Sequence, residues 1–117
     1  MWRVNVQLIK GWLMGLDQRT YDSVIAALEL LETNGPSLGR PLVDTVRGSR
    51  FHNMKELRPP SPGRSALRIL FAFDQNREAV LLVGGDKRSL WNDWYDKNIP
   101  MADLLWDQHI RDLADGN

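Results

Sequence analysis

The stretch that decides the fold reads Leu67-Arg68-Ile69-Leu70-Phe71-Ala72-Phe73-Asp74-Gln75-Asn76-Arg77-Glu78-Ala79-Val80-Leu81-Leu82-Val83-Gly84-Gly85-Asp86. Leu67, Ile69, Phe71 and Phe73 alternate with Arg68, Leu70 and Ala72, so residues 67–74 are predicted to form a strand with two distinct faces. Gln75 to Glu78 reads as a turn. Ala79 to Val83 is apolar on both faces, as a central strand requires, and Gly84-Gly85 is expected to end it. Immediately upstream, Met54 to Arg58 reads as a further short strand. Pro59-Pro60-Ser61-Pro62-Gly63 separates it from Leu67 and can only be a turn, because proline withholds ladder donors. Three consecutive strands with short connections form an antiparallel meander.

Toward the N-terminus, Trp2, Val4 and Val6 alternate with Arg3 and Asn5, predicting a short strand at an edge of the sheet. Leu8, Trp12, Leu13 and Leu16 follow at helical spacing. Asp17 is a candidate N-cap for a second helix, whose apolar stripe is Tyr21, Val24, Ile25, Leu28 and Leu31. Asn34-Gly35-Pro36 stops that helix. Residues 36–50, with Pro36, Gly39, Pro41 and Gly48, are expected to be irregular. Ser89 to Tyr95 predicts a short helical turn, and Pro100, at a first helical position, is expected to open a C-terminal helix to about Leu113. The fold class is α+β. It is a two-layer sandwich with an antiparallel-rich sheet of about four strands, a helical hairpin on one face and a C-terminal helix. At 117 residues the chain reads as one domain, with residues 99–117 as an acidic helical extension.

Composition removes several function classes. With no cysteine, disulfides and thiolate metal sites are excluded. No apolar run approaches 18 residues, and the N-terminus lacks a secretory pattern, so a cytoplasmic protein without a membrane partner is expected. No pair of histidines or carboxylates has metal-ligand spacing, so no metal is expected. Gly84-Gly85-Asp86-Lys87-Arg88 is not a P-loop, and no nucleophile elbow occurs. No small-molecule cofactor is called for. Net charge is zero, from fifteen Lys plus Arg and fifteen Asp plus Glu. It is unevenly spread: residues 40–88 hold ten bases against five acids, and residues 89–117 hold two against six. From Arg47 to Arg68 there are six bases and a single acid, Glu56. A basic surface with one embedded carboxylate suits a polyanion site that also moves a proton.

Strand alternation sorts these side chains. If Leu57 faces the core, Glu56 and Arg58 share the opposite face with Arg68, and Lys55 falls on the core side or at its margin. Gly84-Gly85 is positioned to let the backbone approach a phosphate, with Lys87 and Arg88 beside it. Trp91, Trp94 and Tyr95 either stack on unpaired bases or anchor the C-terminal segment to the core. His109 is expected at the surface.

The ordered set of motifs resembles the RelE superfamily of toxins from bacterial toxin–antitoxin operons, in particular its HigB-like, phage-related branch. Carrying the resemblance are Gly39-Arg40-Pro41-Leu42, Gly48-Ser49-Arg50, Met54-Lys55-Glu56-Leu57-Arg58, Leu67 to Phe73, Leu82 to Lys87, Trp94-Tyr95 and Ile99-Pro100-Met101-Ala102-Asp103. The resemblance implies a metal-independent endoribonuclease that cuts mRNA on the ribosome by 2′-hydroxyl attack on the adjacent phosphate. It implies Glu56, Arg68, Lys87 and Tyr95 as catalytic residues, and Lys55, Arg58, Arg64 and Arg88 as RNA-binding residues. It also implies a cognate antitoxin that binds DNA. Two readings compete: a ParE-like toxin that binds gyrase without cutting RNA, and a nucleic-acid-binding module without catalysis.

Overall fold

A computed structural model describes residues 1–60, 66–88 and 92–116. Five strands form one sheet: β1 (Arg3–Asn5), β2 (Val43–Thr45), β3 (Lys55–Leu57), β4 (Leu67–Phe73) and β5 (Glu78–Asp86). Their order is β1-β5-β4-β3-β2. β1 runs parallel to β5, and every other pairing is antiparallel. The helices are α1 (Lys10–Met14), α2 (Gln18–Asn34) and α3 (Asn92–Asp115). None of the described helices is long and apolar enough to cross a membrane.

The α+β class, the meander and the edge position of β1 agree with the sequence reading. Asp17 caps α2, its carboxylate accepting the Thr20 amide at 2.8 Å. Leu13 of α1 and Val24, Ala27, Leu28 and Leu31 of α2 are buried against Leu57, Leu67, Ile69, Phe71, Ala79 and Leu81. The core face inferred from alternation is therefore the face the N-terminal helices cover.

Four differences from the sequence reading bear on the site. The sheet has five strands, because β2 lies inside the span expected to be irregular and pairs with β3. Its signal is only three residues long, between Pro41 and Gly48, and its pairing partner is distant in sequence. Secondly, Gly84-Gly85 does not end β5 but lies within it. A Cβ on Gly84 would enter the Trp12 ring on one face, and a Cβ on Gly85 would enter the Trp94 ring on the other. The glycines make room for two tryptophans rather than for a phosphate.

Thirdly, the β4–β5 register slips: Leu70 pairs with Val83 and Phe71 with Leu81, leaving Leu82 as an extra residue. Such a bulge reverses the alternation beyond it. Gly85, opposite Arg68, thus faces α3 rather than α1. The same slip carries Lys87 toward Tyr95. Strict alternation from Ala79 would have sent it to the other side.

Fourthly, Pro100 does not open the C-terminal helix. α3 starts at Asn92 and runs through the proline. Losing one intrahelical donor costs about 3 kcal/mol. Burial of Trp94, Ile99, Ala102 and Trp106 against Leu70, Ala72, Val80 and Leu82 on the second sheet face offsets it. Ser89 to Trp91, the start of the expected helical turn, lie outside the described residues. Asp103 is not a solvated acid: it is 5% exposed, accepts the Arg50 amide at 2.9 Å and bonds Ser49 Oγ. It pins the loop between β2 and β3 to α3.

Candidate active site

β3 and β4 place Glu56 opposite Leu70 and leave Arg68 two residues along the same face. α3 crosses this face and brings Tyr95 down onto it. Glu56 is 4% exposed, and both of its oxygens are engaged. Oε2 accepts from Arg58 Nε at 2.8 Å and Nη2 at 2.5 Å. Oε1 accepts the Tyr95 phenol at 2.7 Å. Arg68 Nε donates to the same phenol oxygen at 3.3 Å and stands 3.8 Å from Glu56 Oε1. Arg68 is itself held in place by Nη1 donating to the Leu67 carbonyl at 2.8 Å. The Lys87 ammonium lies 5.2 Å from the centre of the Tyr95 ring.

The electrostatics follow from this crowding. Burial, and then the hydrogen bond and charge of Glu56, raise the Tyr95 pKa against the opposing pull of Arg68. The phenol is thus a proton carrier that stays protonated at neutral pH. Burial, reinforced by Arg68 and Arg58 and opposed by Glu56, lowers the Lys87 pKa. Burial works against the charge of Arg58, but Glu56 and Asp44 more than offset it, so the Arg58 pKa is raised.

Asp44 and its partner Arg40 were not among the expected functional residues. Asp44, on β2, stands opposite Glu56 in register. Its Oδ2 accepts Arg58 Nη2 at 3.2 Å and sits 3.3 Å from Arg40 Nε. The Thr45 amide, against a burial cost, and then Arg40 and Arg58 lower the Asp44 pKa. Arg40, Asp44, Thr45, Val46 and Arg47 join Glu56, Arg58, Tyr95 and Asp96 around an open cleft of about 660 Å³. The only sequence signal for Asp44 was its acidity inside the basic third of the chain.

Of the expected site residues, the structure brings together Glu56, Arg58, Arg68, Lys87 and Tyr95. Lys55 shares strand parity with Leu57 and belongs to the opposite, helix-covered face, as alternation implied. Arg88 is exposed just beyond β5, its amide donating to Asp86. Arg64 lies outside the described residues. Trp94 is buried as a core anchor, stacked edge-on against Tyr95. His109 is only partly exposed rather than free at the surface: its ring stacks on Trp106, and Nε2 lies 2.8 Å from Asp74 Oδ2.

Ligand-type atoms of Asp74, Glu78 and His109 lie within 4.8 Å of one another, a spacing that could hold a metal ion. The sequence could not show this grouping, because the turn after β4, the start of β5 and α3 supply it. It is apart from Glu56: Tyr95 and His109 are separated by about 21 Å of helix. Protein groups already engage all three residues, since Asn5 and Arg3 meet Glu78 and His109 meets Asp74.

The class of protein follows from the chain as a whole. Residues 11–107 match the family described as "Phage derived protein Gp49-like (DUF891)", and the chain belongs to that family. Among its relatives, "Putative toxin HigB2" of Mycobacterium tuberculosis is 54% identical over 114 residues, which is 97% of this chain and 57% of that protein. The chain thus spans little more than half the length of that relative. "Putative toxin HigB3" of the same organism is 54% identical over 95 residues, 81% of each chain.

Proposed function

We propose that this protein is the toxin of a toxin–antitoxin pair and acts as a RelE-like endoribonuclease on mRNA in the cytoplasm, at the ribosome, with a DNA-binding antitoxin as its partner. The observation that carries the reading is the Glu56–Tyr95 hydrogen bond inside a ring of Arg58, Arg68 and Lys87. A carboxylate and a protonated phenol in contact supply a base and an acid. The cations supply the charge that a five-coordinate phosphate needs as it forms. Names of relatives as toxins support the toxin part of this reading.

In this mechanism the RNA 2′-hydroxyl attacks its own 3′-phosphate. Glu56 takes the 2′ proton, and Arg68 with Lys87 holds the non-bridging oxygens. The P–O5′ bond breaks, and Tyr95 gives its phenolic proton to the departing oxygen. The products are a 2′,3′-cyclic phosphate and a 5′-hydroxyl. The proton on Glu56 then returns to the Tyr95 phenolate along their 2.7 Å contact, restoring both groups. All of these steps use side chains of this chain.

The test is cleavage of a ribosome-bound message and of a copy carrying a 2′-deoxyribose at the cut position. Loss of cutting in the deoxy copy is expected, because the nucleophile is gone. Equal cutting of both would contradict 2′ attack. With about four phosphate contacts to single-stranded RNA, binding should weaken about 50-fold between 50 and 200 mM salt.

A further inference from the structure

As it stands, Glu56 is covered as a base. Arg58 donates twice to Oε2 and Tyr95 once to Oε1, so three of its roughly four acceptor sites are taken. Something must uncover it when RNA arrives. Arg58 is the mobile candidate, since its side chain is 33% exposed and lines the cleft, whereas that of Glu56 is 5% exposed. A phosphate competes well for a guanidinium, because the two can pair through parallel hydrogen bonds. An arginine leaving Glu56 for a phosphate would ordinarily gain several rotatable bonds of freedom and lose its aim.

Asp44 prevents that loss. The same Nη2 that meets Glu56 Oε2 is also held by Asp44 Oδ2 at 3.2 Å. Asp44 does not depend on Arg58 for its own place. Its Oδ1 accepts the Thr45 amide at 2.9 Å, Arg40 pairs with its Oδ2, and β2 fixes it opposite Glu56. Two carboxylates therefore share one guanidinium, one buried and one facing the cleft. Resting on the ribonuclease reading above, we propose that Asp44 is a positioning residue that retains Arg58 in the cleft as the guanidinium passes from Glu56 to a substrate phosphate. Glu56 is then unmasked as a base only when RNA is bound. Without Asp44 a guanidinium that leaves Glu56 has no second carboxylate to aim it at the cleft, so its transfer to the phosphate is disfavoured and Glu56 stays masked when RNA binds.

Asp44→Asn tests this, because asparagine keeps the side-chain size and an acceptor for the Thr45 amide. The expected result is a kcat about tenfold below wild type with KM changed less than about twofold. Asp44→Glu, which keeps the charge, is expected to recover most of kcat. An unchanged kcat, or a raised KM at unchanged kcat, would overturn the assignment, since Asp44 would then only tune stability or RNA affinity. A second measurement needs no turnover: the nitrogen-15 NMR signal of the Arg58 Nε–H, followed while an oligoribonucleotide with a 2′-deoxyribose at the cut position is added. The signal should move in the wild type and stay in place in Asp44→Asn; identical movement in both would contradict the inference. A wild type that cuts no RNA contradicts the ribonuclease reading itself. An active wild type matched by Asp44→Asn contradicts this inference alone.

Discussion

Two buried carboxylates on the second sheet face, Glu56 and Asp74, look alike and are built for different ends. Each is under a tenth exposed, and each meets one side chain of α3: Tyr95 for Glu56 and His109 for Asp74. Their remaining partners differ. Asp74 Oδ1 accepts the amides of Asn76 and Glu78, so it closes the β4–β5 turn. Glu56 is surrounded by Arg58, Arg68 and Tyr95 beside an open cleft, and closes nothing. A carboxylate satisfied by backbone amides holds a fold together. One satisfied by side-chain cations at a cleft is available for exchange with a ligand. The comparison explains why α3 spans the whole face: its first turns complete the site, and its later turns lock the far end.

The largest effect that would sharpen the contrast is expected from Arg68→Ala. RNA cleavage should fall about 10²–10³-fold, as for loss of one donor to a charged transition state. Circular dichroism and the thermal midpoint should show a retained fold, and growth arrest on induction should disappear. Arrest by a folded Arg68→Ala variant would remove Arg68 from the mechanism. Next in size is Asp74→Ala, which strands two turn amides and the His109 ring. Urea unfolding should show a loss of about 2–3 kcal/mol, with cleavage per folded molecule unchanged. A parallel loss of activity would dissolve the distinction between the two carboxylates.

The smallest effect concerns Tyr95→Phe and pH. Because the Tyr95 pKa is raised in the fold, its stabilising contribution is present in full below the ordinary tyrosine value near 10. As pH rises further the unfolded chain releases the proton first, so the contribution is lost through the raised folded value. The stability difference between wild type and Tyr95→Phe should therefore narrow from pH 9 to pH 11 in urea melts. A difference that stays constant would mean the phenol is not held protonated by its surroundings.

Much of this was legible in the sequence, for identifiable reasons. The alternation of Leu67 to Phe73 fixed which face the N-terminal helices cover, and so placed Glu56, Arg58 and Arg68 together. Glu56 stood out as the lone acid among six bases. What escaped were features that depend on distant partners. β2 is three residues long and owes its existence to β3, so Asp44 had no predicted strand to stand on. The bulge at Leu82, which turns Lys87 to the site, reflects register with β4 rather than local pattern. Pro100 reads locally as a helix start, and only the packing of Trp94 and Trp106 on one face shows the helix to be continuous. His109 finds Asp74 across 35 residues of chain, a contact no spacing rule reveals.

The most direct test of the central claim is primer extension on cellular mRNA after brief induction of the wild type beside Arg68→Ala. The account predicts new cuts within coding regions that are absent in the variant. Growth arrest without new cuts would contradict it and point to a protein target instead.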